Sequence, residues 1–350
     1  MQNILDYNKV QLAARFAAEG LPKYRADQLF TEIFQNRKFD FDEMTALPKD
    51  FRASLKEIFT IFDIKEHKYF VSEDTTEKLL IEFNNGKAIE CVLIPNNNSI
   101  NKNEDSRTLC ISTQEGCKLN CKFCATGKLG FISNLSPSEI ITQILFAEHI
   151  SGKKISNIVL MGMGDPLDNY ESVSKALSIV ITEQKLFGKN RITLSTAGFT
   201  ENIDRLVESG LNIKLAFSLH SAIQKNREEI MPSAKKWKIH EIVKTLEKYY
   251  LTTKQVITFE YIVFDGFNNK DEDVAAIRKV CSHFPCKINL IQYHNIDFTG
   301  FKSDLLPASF QQILEFQAKL KKSGVDTFVR KSAGSDIAAA CGQLAYGGKK

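Results

Sequence analysis

The sequence lacks any apolar run approaching the roughly 18 residues that a membrane-spanning helix needs. Its opening residues, Met1 to Gly20, mix charges into a helical pattern where a secretory signal would carry an apolar core. The chain is therefore expected to be cytoplasmic. Internal repeats and low-complexity tracts are also missing, and with 43% hydrophobic and 25% charged residues disorder, collagen-like repeats and a disulfide-stapled miniprotein are excluded. Net charge is small, since 46 Lys and Arg stand against 42 Asp and Glu to leave +4, which permits a nucleic-acid partner without demanding one. Residues 1–100 hold 13 basic and 16 acidic side chains. A phosphate-binding surface is thus expected in the remainder, around runs such as Lys235-Lys236-Trp237-Lys238, although a solvated helix end is the simpler reading of that run. Trp237 is either a half-buried surface aromatic or a base-stacking platform, the former being favoured.

What is present is 350 residues, enough for one large domain or two smaller ones. Val10, Leu12 and Phe16, then Leu29, Phe30, Ile33 and Phe34, then a stripe from Leu47 to Phe59, recur at helical spacing. The period changes at residues 68–71, 78–83 and 88–94, which read as strands, with Asn85-Gly86 marking a hairpin. From Arg107 short β-rich runs alternate with helical segments, the strands being 108–112, 157–162, 191–195, 213–219, 256–263, 287–291 and 326–330. Ser136-Pro137-Ser138-Glu139 predicts a capped helix start. Repeated βα units imply a parallel α/β sheet, either open and doubly wound or an incomplete TIM-like barrel, with ligands at the strands' C-terminal ends. The expected division is a helical and small-sheet accessory domain over 1–96, a polar linker over 97–107, the barrel over 108–330 and a C-terminal segment over 331–350.

Eight cysteines (91, 110, 117, 121, 124, 281, 286 and 341) in a reducing compartment point to metal binding or chemistry more than to static bridges. Cys91, Cys281 and Cys286 carry no signal beyond packing. Cys117, Cys121 and Cys124, separated by three and then two residues, can wrap a loop around an iron-sulfur cubane while leaving one iron open. Zinc would want a fourth ligand at short range, and none lies between Cys124 and His149. Three buried structural cysteines would have no reason to cluster in this way.

The Cys-x-x-x-Cys-x-aromatic-Cys pattern, with Phe123 as the aromatic, resembles that of the radical S-adenosylmethionine (SAM) enzymes. Met161-Gly162-Met163-Gly164-Asp165-Pro166-Leu167, Thr193 to Thr196, Phe217 to His220, Lys287 to Ile291 and Ala339 to Leu344 make the resemblance narrower. They are similar, over the whole chain, to the RlmN/Cfr family of RNA adenosine methyltransferases. The resemblance implies a partial (βα)6 radical SAM barrel, one [4Fe-4S] cluster on Cys117, Cys121 and Cys124, and two SAM molecules per turnover. Carbon 2 of adenine is electron-poor and cannot attack SAM as a nucleophile. The family's solution is a Cys341 thiolate methylated by polar displacement, from which a 5′-deoxyadenosyl radical takes hydrogen so that the methylene radical adds to the base. By motif position Cys110 is the resolving thiol, in a transient disulfide with Cys341, and Glu90 the proton acceptor; read without the resemblance, Glu90 is a solvent-facing strand residue.

The same resemblance places Gly164 and Asp165 at the amino group of SAM, Ser195 at its ribose or carboxylate, Ser218, Leu219 and His220 around its polar groups, and Asn289 at the adenosyl part. His220 otherwise reads as a strand-end histidine satisfying a loop carbonyl. Asp165 departs from the family's usual Glu by one methylene, which bears on SAM affinity. Pro166, where carbon-8 enzymes commonly have Ala, favours carbon 2. The implied substrates are a 23S rRNA adenosine near the peptidyl-transferase centre and the tRNA adenosine 3′ of the anticodon, both in loops where a base can be turned out. An electron donor of flavodoxin type, a thiol reductant and a monomeric state are expected. The N-terminal helices are a candidate RNA contact without electrostatic support. The alternatives are a carbon-8 methyltransferase and a non-catalytic metal-binding RNA-interaction protein.

Overall fold

The N-terminal stripes become helices because their apolar residues return to one face every three or four positions. In the computed structural model, which describes residues 1–96 and 106–346, these are α1 (Lys9–Ala18), α2 (Tyr24–Phe30) and α3 (Lys49–Ile58). Leu12, Phe16, Leu29, Phe30, Phe51 and Leu55 are buried. Val10 belongs to the expected stripe but is 77% exposed. It lies two residues before Leu12, about 200° around the helix, so the two cannot face the same side.

The change of period after α3 is a change to sheet. Strands β1 (Ile64–Val71), β2 (Glu77–Phe83) and β3 (Ala88–Pro95) form an antiparallel ribbon. At the Asn85-Gly86 turn Phe83 donates to Lys87 O at 2.8 Å, and Gly86 takes the positive φ of +85° that the turn requires. Seven parallel strands follow: β4 (Ser106–Cys110), β5 (Lys154–Leu160), β6 (Ile192–Thr196), β7 (Lys214–Ser218), β8 (Ile257–Val263), β9 (Cys286–Gln292) and β10 (Thr327–Arg330). The intervening helices are α4 (Ala125–Leu129), α5 (Pro137–Ser151), α6 (Tyr170–Leu177), α7 (Thr200–Glu208), α8 (Gln224–Ile230), α9 (Ile239–Thr253), α10 (Asp271–Cys281) and α11 (Phe310–Lys322). The fold is the expected α/β architecture with an N-terminal accessory part, and its parallel strands number seven where a six-stranded partial barrel was expected.

All ten strands belong to one sheet whose spatial order is their chain order, from β1 at one edge to β10 at the other. The ribbon is therefore continuous with the barrel strands, because β3 pairs antiparallel with β4, Val92 opposite Cys110 and Leu93 opposite Leu109. Most of the expected linker, 97–107, lies outside the described residues, as do the last four residues of the C-terminal segment. The helix start at Ser136 carries its capping box, with Ser136 N donating to Glu139 Oε2 at 2.7 Å and Glu139 N to Ser136 Oγ at 3.2 Å.

Trp237 is corrected on both counts. It is 7% exposed, packs on Phe199 with ring centroids 4.4 Å apart, and covers Gly198, where an added Cβ would come within 2.5 Å of the indole. It is neither a surface aromatic nor free to stack on a base. Its neighbouring lysines lead into α9, with Lys238 paired to Glu228 at 2.6 Å.

Candidate active site

A cavity of about 160 Å³ opens at the C-terminal ends of the parallel strands. Cys117, Cys121 and Cys124 reach its wall from the loop between β4 and α4. A short antiparallel pair missed in the sequence, Gln114–Gly116 with Phe131–Asn134, brackets that loop. These strands are too brief to show a period. The loop closes tightly at Gly116, whose φ is +73° and where a Cβ would sit 1.8 Å from Gly130 O. Burial, and then the neighbouring Cys124, push the Cys117 thiol up to about 12, and the Cys121 thiol rises further for the same reasons. Thiols raised in this way become thiolates only against a cationic core. Among the described residues no three His, Cys, Asp or Glu side chains converge on one ion position. A cubane has no such need, because each thiolate takes a different iron. The donor set therefore fits a cluster better than a single zinc ion.

Cys110 ends β4 and Cys341 lies on the C-terminal segment; both line the same cavity. Burial pushes Cys110 up to about 12, with Cys341 adding to the rise and Arg330 opposing it. Cys341 is accessible from the cavity, yet crowding by protein atoms still pushes its thiol up to about 11, again opposed by Arg330. All eight cysteines are free thiols, so no Cys110–Cys341 disulfide is present. The segment bearing Cys341 is held at several points. Ala125 N donates to Gly342 O at 2.7 Å, Thr126 Oγ1 to Leu344 O at 2.5 Å, and Ser72 Oγ to Asp336 Oδ1 at 2.5 Å.

Glu90 is not solvent-facing. It is 1% exposed on β3, ion-paired at 3.0 Å with the equally buried Lys78, and accepts from Tyr346 N at 3.1 Å. Burial pushes its carboxyl up, against the pull of Lys78 and of the Tyr346 and Ala345 amides. It stands behind the cavity wall, beneath the C-terminal segment.

Gly164, Asp165, Ser195, Ser218, His220 and Phe123 all line the cavity. Gly164 has φ +86°, and a Cβ there would lie 2.4 Å from Gln114. The Asp165 carboxylate is occupied locally: Leu167 N and Thr196 Oγ1 donate to Oδ1 at 3.0 Å, and Ala197 N to Oδ2 at 2.8 Å. Burial nevertheless raises it to about 6. His220 accepts from Ile262 N on Nδ1 at 3.0 Å, which leaves its hydrogen on Nε2. Burial holds it neutral, its value pushed down to about 3, and its ring meets Phe123 edge-on at 4.7 Å. The loop-carbonyl reading of His220 therefore does not describe its ring. Asn289 does not reach the wall; its Nδ2 donates at 3.0 Å to Glu260, which does. Leu219 is buried in the core.

Sequence reading missed three charged residues here. Glu260 lies inside the apolar β8 and lines the cavity with Oε2 unpartnered among the described residues. Arg330, at the end of β10, lines the cavity with Cys110 and Cys341 and acts on both thiols. Arg227 is fully buried beside the cluster loop. The signal for Glu260 and Arg330 was a lone charge within or ending an apolar strand; Arg227, on a polar helix, had none.

A parallel sheet with three thiols at its C-terminal mouth defines a radical SAM enzyme, and residues 111–277 match the family model described as "Radical SAM superfamily". Residues 2–61 match the "Ribosomal RNA large subunit methyltransferase N-terminal domain". A probable dual-specificity RNA methyltransferase RlmN of Thermotoga neapolitana is 40% identical over 347 residues, covering 98% of this chain and 97% of its own. One of Chloroherpeton thalassium is 40% identical over 344 residues, covering 95% and 91%. The crystal structure of a radical SAM methyltransferase from Sphaerobacter thermophilus superposes with a TM-score of 0.91 at 34% identity, over 98% of this chain and 99% of that one. The chain belongs to the RlmN family of radical SAM RNA methyltransferases, whose cofactors are a [4Fe-4S] cluster and SAM. The non-catalytic alternative is thereby set aside. Among the described residues no helix is long and apolar enough to cross a membrane.

Proposed function

We propose that the chain methylates carbon 2 of adenosine in 23S rRNA, near the peptidyl-transferase centre, and in tRNA, 3′ of the anticodon. The observation that carries this reading is the placement of Cys110 and Cys341 on the wall of the same cavity as Cys117, Cys121 and Cys124. Cys117, Cys121 and Cys124 hold the cluster, and Gly164, Asp165, Ser195, Ser218 and His220 line the space for SAM. When bound, cluster and SAM together supply a 5′-deoxyadenosyl radical that takes a hydrogen atom from S-methyl-Cys341. Cys341 first accepts the methyl group as a thiolate, and later holds the base covalently through that carbon. Arg330 favours the thiolate of both cysteines, working against the burial that still leaves Cys110 at about 12 and Cys341 at about 11. Glu90 takes the carbon-2 proton while the adduct's unpaired electron would return to the oxidised cluster; the Cys110 thiolate then attacks the Cys341 sulfur, breaking its bond to the methylene carbon, which takes a proton to become the methyl group as the disulfide forms. A thiol reductant then restores both cysteines.

Because Glu90 lies behind the wall, under the amides of Ala345 and Tyr346, its role asks the C-terminal segment to shift once the base is attached. Pro166 supports carbon 2 over carbon 8. We take the enzyme to act in the cytoplasm as a monomer with a flavodoxin-type donor. The deciding experiment is mass spectrometry of nucleosides from 23S rRNA and tRNA incubated anaerobically with enzyme, SAM and a low-potential reductant. 2-Methyladenosine is expected, and absent with Cys341→Ala although that variant keeps its iron. 8-Methyladenosine, or methylation by Cys341→Ala, overturns the reading.

A further inference from the structure

Helix α8 runs against the cysteine loop, where Lys122 N donates to Ile230 O at 2.9 Å. It carries Arg227, a cation with no exposed surface. Desolvating a lone charge costs several kcal/mol, so a buried guanidinium is ordinarily met by a carboxylate. Arg227 instead donates to carbonyls: Nε to Leu219 O at 3.1 Å, and Nη2 to Ala197 O at 2.8 Å and Ser218 O at 3.1 Å. These contacts fix its position from the loops after β6 and β7. Nη1 is buried and has no partner among the described residues. The group whose charge would act on Arg227 is Cys121, one of the three thiols of the cysteine loop, and the influence is mutual. Burial lowers the guanidinium only to about 10, so it remains charged at neutral pH.

We propose that Arg227 tunes the iron-sulfur cluster: its unpaired Nη1 is a fixed donor to cluster sulfur on the Cys121 side, and its charge raises the reduction potential. A cubane held by three thiolates carries net negative charge and gains one more on reduction, so a fixed cation stabilises the reduced state more than the oxidised one. In that step one electron passes from a reduced flavodoxin-class donor to the cluster, and no bond is made or broken. The inference rests on the family's cluster and is independent of which adenine carbon is methylated.

The test uses the full-length, anaerobically reconstituted protein and an EPR-monitored potentiometric titration. Arg227→Gln keeps a donor but loses the charge, and Arg227→Lys keeps the charge. At matched iron content, Arg227→Gln should titrate at a lower potential and accept electrons from reduced flavodoxin at least tenfold more slowly, and Arg227→Lys should recover most of the difference. A merely structural Arg227 would change melting temperature or iron content and leave the midpoint where it was. Equal midpoints in all three proteins overturn the proposal. Should the substitutions prevent folding, native-sequence protein labelled with 15N-guanidino arginine decides instead. Its reduced cluster should show a weak 15N hyperfine coupling that persists in Arg330→Lys, and no coupling overturns the assignment. A native-sequence preparation that binds no iron or sulfide contradicts the cofactor itself, a failure distinct from a loaded cluster that is indifferent to residue 227.

Discussion

Glu90 and Lys78 form an ion pair with 1% and 0% of their side chains exposed, and such pairs are costly to break because one buried charge is left behind. Lys78→Met should therefore cost about 3–5 kcal/mol, with the upper end softened because Glu90 can take up a proton. The sign follows from burial, which already raises Glu90 against the pull of Lys78. With that pull removed the carboxyl rises further, so the acid limb of the pH–rate profile for methyl transfer should move to higher pH. Stability responds in the same direction. A raised carboxyl contributes stability below its unfolded value and loses it as pH climbs through the folded value. The variant should therefore lose more melting temperature than the native protein on going from acid to neutral pH. An unmoved limb would show that Glu90 does not remove the proton.

At the scale of elements, the cysteine loop depends on one glycine. Gly116→Ala would place a methyl group 1.8 Å from Gly130 O in a backbone of positive φ, and a contact with backbone cannot be relieved by rotating a side chain. Iron content after reconstitution should fall severalfold while far-ultraviolet circular dichroism stays close to native; full iron loading would contradict the steric argument.

The β1–β2 turn holds the C-terminal segment through Asp74, which accepts from Gly334 N at 2.9 Å, and through Asp336, which accepts from Ser72 and from Glu73 N. Burial opposes ionisation of Asp74, but the Gly334 and Thr76 amides and the Thr76 and Ser72 hydroxyls prevail and hold it down at about 2. The stabilisation this gives is present above the ordinary carboxylate range and lost as pH falls toward 2. Asp74→Ala should loosen the segment by about 1–2 kcal/mol, read as severalfold faster alkylation of Cys341 by iodoacetamide. Unchanged alkylation would show that the turn does not restrain Cys341.

At the scale of the whole molecule, the ribbon and the barrel share one sheet, so they should unfold together. Leu109 faces Leu93 across the β3–β4 junction, both without exposed surface. Leu109→Ala should cost about 2–5 kcal/mol and lower a single melting transition; two separated transitions would mean that the ribbon is an independent unit. The seven parallel strands were legible because β-branched and apolar runs alternated with helical ones, and the cluster loop because its spacing is local. The continuity of the sheet was not legible, since pairing between β3 and β4 crosses a polar stretch and no periodicity reports which edge a ribbon joins. Glu260 and Arg330 stand out in sequence only as charges among apolar neighbours, and their convergence on one cavity depends on strands 70 positions apart. Asp165 stood out in sequence and lies on the cavity wall, but its bonding was not legible, because its donors at 196 and 197 come from the end of the next strand and the residue after it.

The agreement between strand order and chain order also bears on how the polypeptide is made. As it leaves the ribosome, each strand finds its neighbour already in place, so the nascent sheet can widen in one direction without waiting for distant partners. The residues around Cys341 follow all ten strands and settle over the cavity only after the sheet is complete. Metal delivery therefore has a window before the segment after β10 comes to rest across the route inward.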